Sequence, residues 1–75
     1  MDNRLIKIMA KYLGLKEDEI TLDMDLIDDL NINSYDIMSI IGNVEDEFDI
    51  EIPDDDIKEF RTVADVLLYI KEKNW

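Results

Sequence analysis

Leu5, Ile8, Met9, Tyr12 and Leu13 recur at spacings of three and four, the signature of one apolar helix face, and Gly14 follows at a usual stop position. The pattern predicts a first helix over about 3–14. From Leu15 to Asn33 the period is lost, because spaced apolar residues alternate with Asp, Asn and Thr, which favour turns over helix interiors. This stretch reads as an ordered strap that lays Leu22, Met24, Leu26 and Leu30 onto the helices. Asn33, with Asp36 three residues on, is a good N-cap, and Ile37, Ile40, Ile41, Val44 and Phe48 trace a second apolar stripe over about 34–48. Pro53 followed by Asp54, Asp55 and Asp56 suits the start of a short third helix, about 54–59, since acids in a first turn complement the helix dipole. Thr62 and Asp65 approximate a capping box ahead of Val63, Val66, Leu67 and Ile70, which predicts a fourth helix over about 63–73. Ile50-Glu51-Ile52 is too brief an alternation for a sheet strand. The expected fold is all-α: a small four-helix bundle of three longer helices and one short one, with a long ordered loop between the first two.

Composition narrows the chemistry. Seventy-five residues suffice for one domain, 1–75, with a single core. The chain has no Cys and no His, which removes disulfides, thiolate ligands, a thiol nucleophile, the usual general base and the commonest metal ligand. An enzyme is therefore not expected. No apolar run approaches a membrane span and the N-terminal stretch lacks a signal-peptide pattern, so a cytoplasmic protein without membrane insertion is expected.

The net charge of −12 is unevenly placed. Residues 1–16 carry four bases and one acid, residues 58–75 four bases and three acids, and residues 17–57 sixteen acids with no Lys or Arg. Nucleic acid is a poor partner for such a surface, because phosphate contacts need Lys and Arg. The acidic middle reads either as a solvated face kept for solubility or as a docking face that steers a basic partner by long-range attraction.

Two places could carry chemistry. Asp23, Asp25, Asp28 and Asp29 are crowded, yet a calcium loop starting at Asp23 would place Asp28 where Gly is needed and Ser34 where a bidentate Glu is needed. No metal site is expected. Ser34 stands at the start of the second helix without a base to activate it, so it cannot act as a nucleophile alone. It reads either as a capping residue or as the site of a modification made by another enzyme, where a phosphate would meet free N–H groups and the positive helix end.

The string L-x-x-D-L-N-I-N-S-Y-D-I-M-S-I-I-G-N-V-E-D-E-F-D-I-E-I-P, with L-G-L at 13–15 and T-V-A-D at 62–65, resembles acyl carrier proteins almost end to end. The resemblance implies that Ser34 carries 4'-phosphopantetheine as a phosphodiester, whose terminal thiol holds an acyl group as a thioester. It also implies a monomer presenting an acidic second helix to a phosphopantetheinyl transferase and to acyl-processing enzymes with basic patches. Some members shelter the acyl chain between helices. The matching docking acids are Asp36, Glu45, Asp46 and Asp54, and Tyr35 and Met38 are expected to form an exposed apolar spot beside Ser34. Fatty acid, polyketide or related acyl biosynthesis is the implied setting. An unmodified acidic docking module with the same fold is the alternative.

Three departures from the family pattern stand out. Asn33-Ser34-Tyr35 replaces D-S-L, which removes one carboxylate and places a phenol beside the serine. Asn31 replaces a common Gly, and Asn tolerates the left-handed turn that such a position requires. Gly42 lies inside the second helix at a cost of about 1 kcal/mol relative to Ala. These differences fit either a specialised carrier with its own partners or neutral drift.

Overall fold

The computed structural model describes residues 3–74. Helix α1 runs Arg4–Leu13, α2 Ser34–Phe48, α3 Asp54–Ile57 and α4 Val63–Asn74. Each predicted helix is present, and α3 is two residues shorter than expected because the segment tightens after Ile57 into i→i+3 turns, the Glu59 N–H donating to the Asp56 carbonyl and the Phe60 N–H to the Ile57 carbonyl. Among the described residues no strand forms, and only an isolated antiparallel bridge joins Asp25 to Thr62.

Local chemistry explains the boundaries. Gly14 closes α1 at φ 71°, the left-handed conformation that costs Gly least. Asn31 takes φ 58° as expected. The Asn33 side chain accepts from the Asp36 N–H at 2.8 Å while the Asp36 carboxylate accepts from the Asn33 N–H at 3.4 Å, a reciprocal capping box. Thr62 and Asp65 form a second one: Asp65 Oδ2 accepts from the N–H groups of Arg61 and Thr62, and the Asp65 N–H donates to the Thr62 hydroxyl. Those two N–H bonds, from Arg61 and then Thr62, hold the Asp65 carboxyl below its ordinary value.

The core joins one face of every helix to the strap. Leu5 and Met9 of α1, Ile40, Ile41, Val44 and Phe48 of α2, and Val63, Val66 and Ile70 of α4 are buried, together with Ile20, Leu26 and Ile32 from the loop. The strap differs from expectation in two ways. A 3-10 turn, Glu17–Glu19, tightens its beginning, with the Glu19 carboxylate accepting from the Lys16 N–H at 2.8 Å. Leu22 stays 39% exposed and does not pack inward. Its main chain docks instead: the carbonyls of Leu22 and Met24 accept from the N–H groups of Ala64 and Val63, and the Leu26 N–H donates to the Arg61 carbonyl at 2.7 Å. The strap thus satisfies first-turn donors of α4 that no intrahelical acceptor can reach.

The clustered aspartates hold the strap together. Asp25 Oδ1 accepts from the N–H groups of Ile27 and Asp28, and Asp29 Oδ2 accepts from the Asp25 N–H. Hydrogen bonds from Asp28 and then Ile27 push the Asp25 carboxyl below its usual range. Among the described residues no group of three or more acids is arranged to hold a metal ion.

Two consequences can be measured. A methyl group added at Gly42 would meet nothing within 4 Å, so Gly42→Ala is expected to stabilise the fold by about 1 kcal/mol, raising Tm by about 4–8 °C for a domain this small. Thermal unfolding followed by circular dichroism checks this. The Tyr69 hydroxyl of α4 donates to Asp56 Oδ2 of α3 at 2.7 Å, and that bond is the main cause that raises the phenol to about 12. The folded state keeps the Tyr69 proton more tightly than the unfolded chain, so this contribution is fully present below the ordinary value of 10.0 and is lost as pH rises toward about 12. Denaturant midpoints measured across that interval should fall for the natural chain and fall less for Tyr69→Phe.

Candidate functional site

Ser34 is the first residue of α2, and its side chain is exposed. Asn33, not Ser34, provides the cap, which corrects the capping alternative for the serine. The Ser34 hydroxyl makes no hydrogen bond among the described residues, since the capping chemistry is complete without it. The N–H groups of Ser34 and Tyr35 belong to the first turn and have no acceptor within the helix.

Beside Ser34 lies an open cleft of about 430 Å³, lined by Ile27, Ile37, Met38, Asp54, Ile57, Lys58 and Phe60. Its walls come from the strap, from α2, from α3 and from the link that follows α3. Tyr35 is 77% exposed and Met38 48% exposed, as the helical spacing predicts. Ile27, 60% exposed, adds a third apolar side chain at this end of the molecule. Sequence reasoning missed Ile27, although Leu26 and Ile27 are adjacent and neighbouring positions in a turn cannot both face one core. Lys58 and Phe60 were missed as well, because the spacing of α2 contains no information about which later loop returns to it.

The acids divide by what engages them. Asp46 and Asp54 are exposed. The Asp36 carboxylate is already used twice, by the Asn33 N–H and by the Tyr12 hydroxyl at 3.0 Å. Tyr12 therefore does not simply extend the core stripe of α1. It lies at the edge of that stripe, exposed, and its polar tip ties α1 to the first turn of α2. Glu45 is half-buried, and its Oε2 accepts from the Ile52 N–H at 2.8 Å, fastening the chain that leaves α2. Glu47 pairs with Arg4 at 3.5 Å, and the Arg4 guanidinium lies 4.3 Å from the Phe48 ring centre.

The site suits a particular kind of group. An exposed hydroxyl beside free N–H donors is open to esterification by phosphate, and the neighbouring cleft offers apolar side chains with Lys58 at its edge to a flexible, amphipathic arm. Asn33 in place of Asp removes a like charge from the residue next to the serine. These residues fit a phosphodiester-linked arm.

Residues 3–70 match the family described as "Phosphopantetheine attachment site". The chain is 46% identical over 72 residues to acyl carrier proteins of Clostridium perfringens strains SM101 and ATCC 13124, covering 96% of this chain and 95% of each relative. Its fold superposes with a TM-score of 0.84 on the solved structure of a Mycobacterium tuberculosis protein described as an acyl carrier protein, at 31% identity over 91% of this chain and 90% of that one.

Proposed function

This chain belongs to the acyl carrier protein family, and we propose from that premise that Ser34 is where its 4'-phosphopantetheine arm is attached. When bound, the arm supplies the terminal thiol that holds an acyl group as a thioester. Membership makes the protein a carrier and not an enzyme, which accounts for a chain without Cys or His. The observation that carries the assignment is the exposed, uncommitted Ser34 hydroxyl at the start of α2, beside the apolar cleft. The carrier acts as one domain, a cytoplasmic monomer passed among separate enzymes of fatty acid, polyketide or related acyl biosynthesis.

The docking face runs along α2 from its Ser34 end, with Asp46 about 18 Å further along the helix. Asp46 and Asp54 steer partners with basic patches, while Tyr35 and Met38, joined by Ile27, supply an apolar anchor. Asp36 and Glu45 border this face with carboxylates held in internal hydrogen bonds. Reversing Asp46 and Asp54 together to Lys is expected to slow association with a phosphopantetheinyl transferase by about tenfold at low salt and to flatten its salt dependence. Tyr35→Ala should act mainly on dissociation. Stopped-flow binding at several salt concentrations separates the two effects.

Intact mass after incubation with coenzyme A and a broad-specificity transferase tests the reading. The natural chain should gain the mass of one arm. An unchanged mass would favour the unmodified docking module.

A further inference from the structure

Lys58 stands apart from its surroundings. It is the first base after Lys16, since residues 17–57 contain neither Lys nor Arg, and among the described residues lining the cleft beside Ser34 it is the only cation. The main chain fixes its place: Lys58 follows the last residue of α3, and its N–H donates to the Asp54 carbonyl at 3.2 Å. Asp54 lines the same cleft four residues earlier, the spacing at which a helix can pair acid with base. Yet the exposed Lys58 side chain makes no ion pair among the described residues. The cleft thus brings together a hydroxyl and a cation that the fold itself does not use.

Behind Ile37 and Phe60 the core leaves an inner void of only about 10 Å³, room for about one water. A charged group on Ser34 therefore stays in the cleft, where the side chains at the rim decide its surroundings. A phosphodiester there would add a negative charge to a molecule already at −12, close to Asp54 and to Asp36 in the first turn of α2. First-turn N–H groups of α2 meet that charge on one side. On the α3 side only Lys58 can. We infer that Lys58 is the counter-ion of the arm: its ammonium pairs with the phosphodiester on Ser34 and turns the arm across the cleft toward α3, away from Tyr35, which does not line the cleft. The inference rests on attachment at Ser34. Lys58 is a positioning residue and takes no part in the thioester chemistry. Because both groups stay in water, the pair favours this course of the arm by a factor of about 1.4 to 5, and salt weakens it as the screening length falls from about 30 Å at 0.01 M to about 3 Å at 1 M.

The test uses the full chain, natural and as Lys58→Gln, Lys58→Glu and Lys58→Arg, loaded from coenzyme A by a broad-specificity transferase, with intact mass reporting loading. Phosphorus NMR of the loaded proteins reports the surroundings of the phosphodiester, and proton cross-relaxation from the arm's methyl groups beside it reports which way the arm runs. In the natural chain the contacts to Ile57 should exceed those to the Tyr35 ring, and sodium chloride raised from about 0.01 M to about 1 M should even them out and shift the phosphorus resonance. Lys58→Gln should show the evened contacts and the shifted resonance already at low salt, and Lys58→Glu should favour Tyr35. Lys58→Arg, which keeps the charge, should restore the natural pattern, a rescue that a merely structural role for the side chain would not produce in the phosphorus spectrum. The same resonance and the same contacts in fully loaded natural and Lys58→Gln proteins would overturn the inference. So would arm contacts in the natural chain that ignore sodium chloride, a result that holds even if a variant loads poorly. Failure of the natural chain to gain any arm would instead strike the attachment at Ser34, and the inference with it.

Discussion

Ser34→Ala is expected to abolish arm attachment completely while leaving the fold almost untouched. The two halves of this result come from different atoms. On the proposed assignment attachment needs the Ser34 oxygen itself, and the chain's other serine, Ser39, is half-buried on the second turn of α2. Stability does not need that oxygen, because the cap belongs to Asn33 and Asp36 and the Ser34 hydroxyl has no partner among the described residues. Alanine is at least as good a helix former at this first position, so the change in stability should stay within about 0.5 kcal/mol. Asn33→Ala should show the reverse pattern, losing about 1 kcal/mol with the cap while keeping the attachment oxygen. Intact mass and thermal unfolding, run on both variants, separate chemistry from folding.

Ile32→Ala is expected to have the largest effect on stability. Ile32 is fully buried two residues before Ser34, its N–H donates to the Leu26 carbonyl at 3.0 Å, and it borders the inner void. Truncation would remove buried methyl groups and enlarge an existing gap, at a cost of about 2–5 kcal/mol. A chain of this length has only roughly 4–11 kcal/mol in total, at about 0.05–0.15 kcal/mol per residue. The variant should therefore unfold at much lower denaturant concentration. Leu22→Ala is the matched control. It removes a side chain of the same size from the same strap, but Leu22 is exposed and contributes its carbonyl, so the midpoint should hardly move. Equal losses in the two variants would contradict the division of the strap into a buried end near α2 and a main-chain splice near α4.

That division also shows where sequence was informative. The helices were legible because their ends are set by neighbours: Gly14 stops α1, Asn33 with Asp36 starts α2, and Thr62 with Asp65 starts α4. The stripes of α2 and α4 were legible because a period near 3.6 records which face is buried. The strap was legible only in part: Met24, Leu26 and Leu30 pack onto the core as expected, but Leu22 and Met24 are also placed by hydrogen bonds from Ala64 and Val63 of a distant helix, and no local pattern encodes that pairing. The internal bonds of Tyr12 and Glu45 were not legible for a related reason. Both have side chains long enough to reach another element, Tyr12 to Asp36 and Glu45 to the Ile52 N–H, and spacing fixes a residue's face but not its reach. The site followed the same rule. Ser34, Tyr35 and Met38 lie within the first two turns of one helix and could be placed from the sequence, whereas Ile27 closes the cleft from the strap and Lys58 and Phe60 from the link after α3.

On the proposed reading one arm is carried, and Ser34 carries it. Fragmentation mass spectrometry of the natural chain, after incubation with coenzyme A and a phosphopantetheinyl transferase, tests it most directly. A single added arm is expected, confined to fragments that contain Ser34, with Ser39 unmodified. An arm mapped to Ser39 or to any other residue, or a chain that stays unmodified while an acyl carrier protein run alongside it is fully loaded, would contradict it.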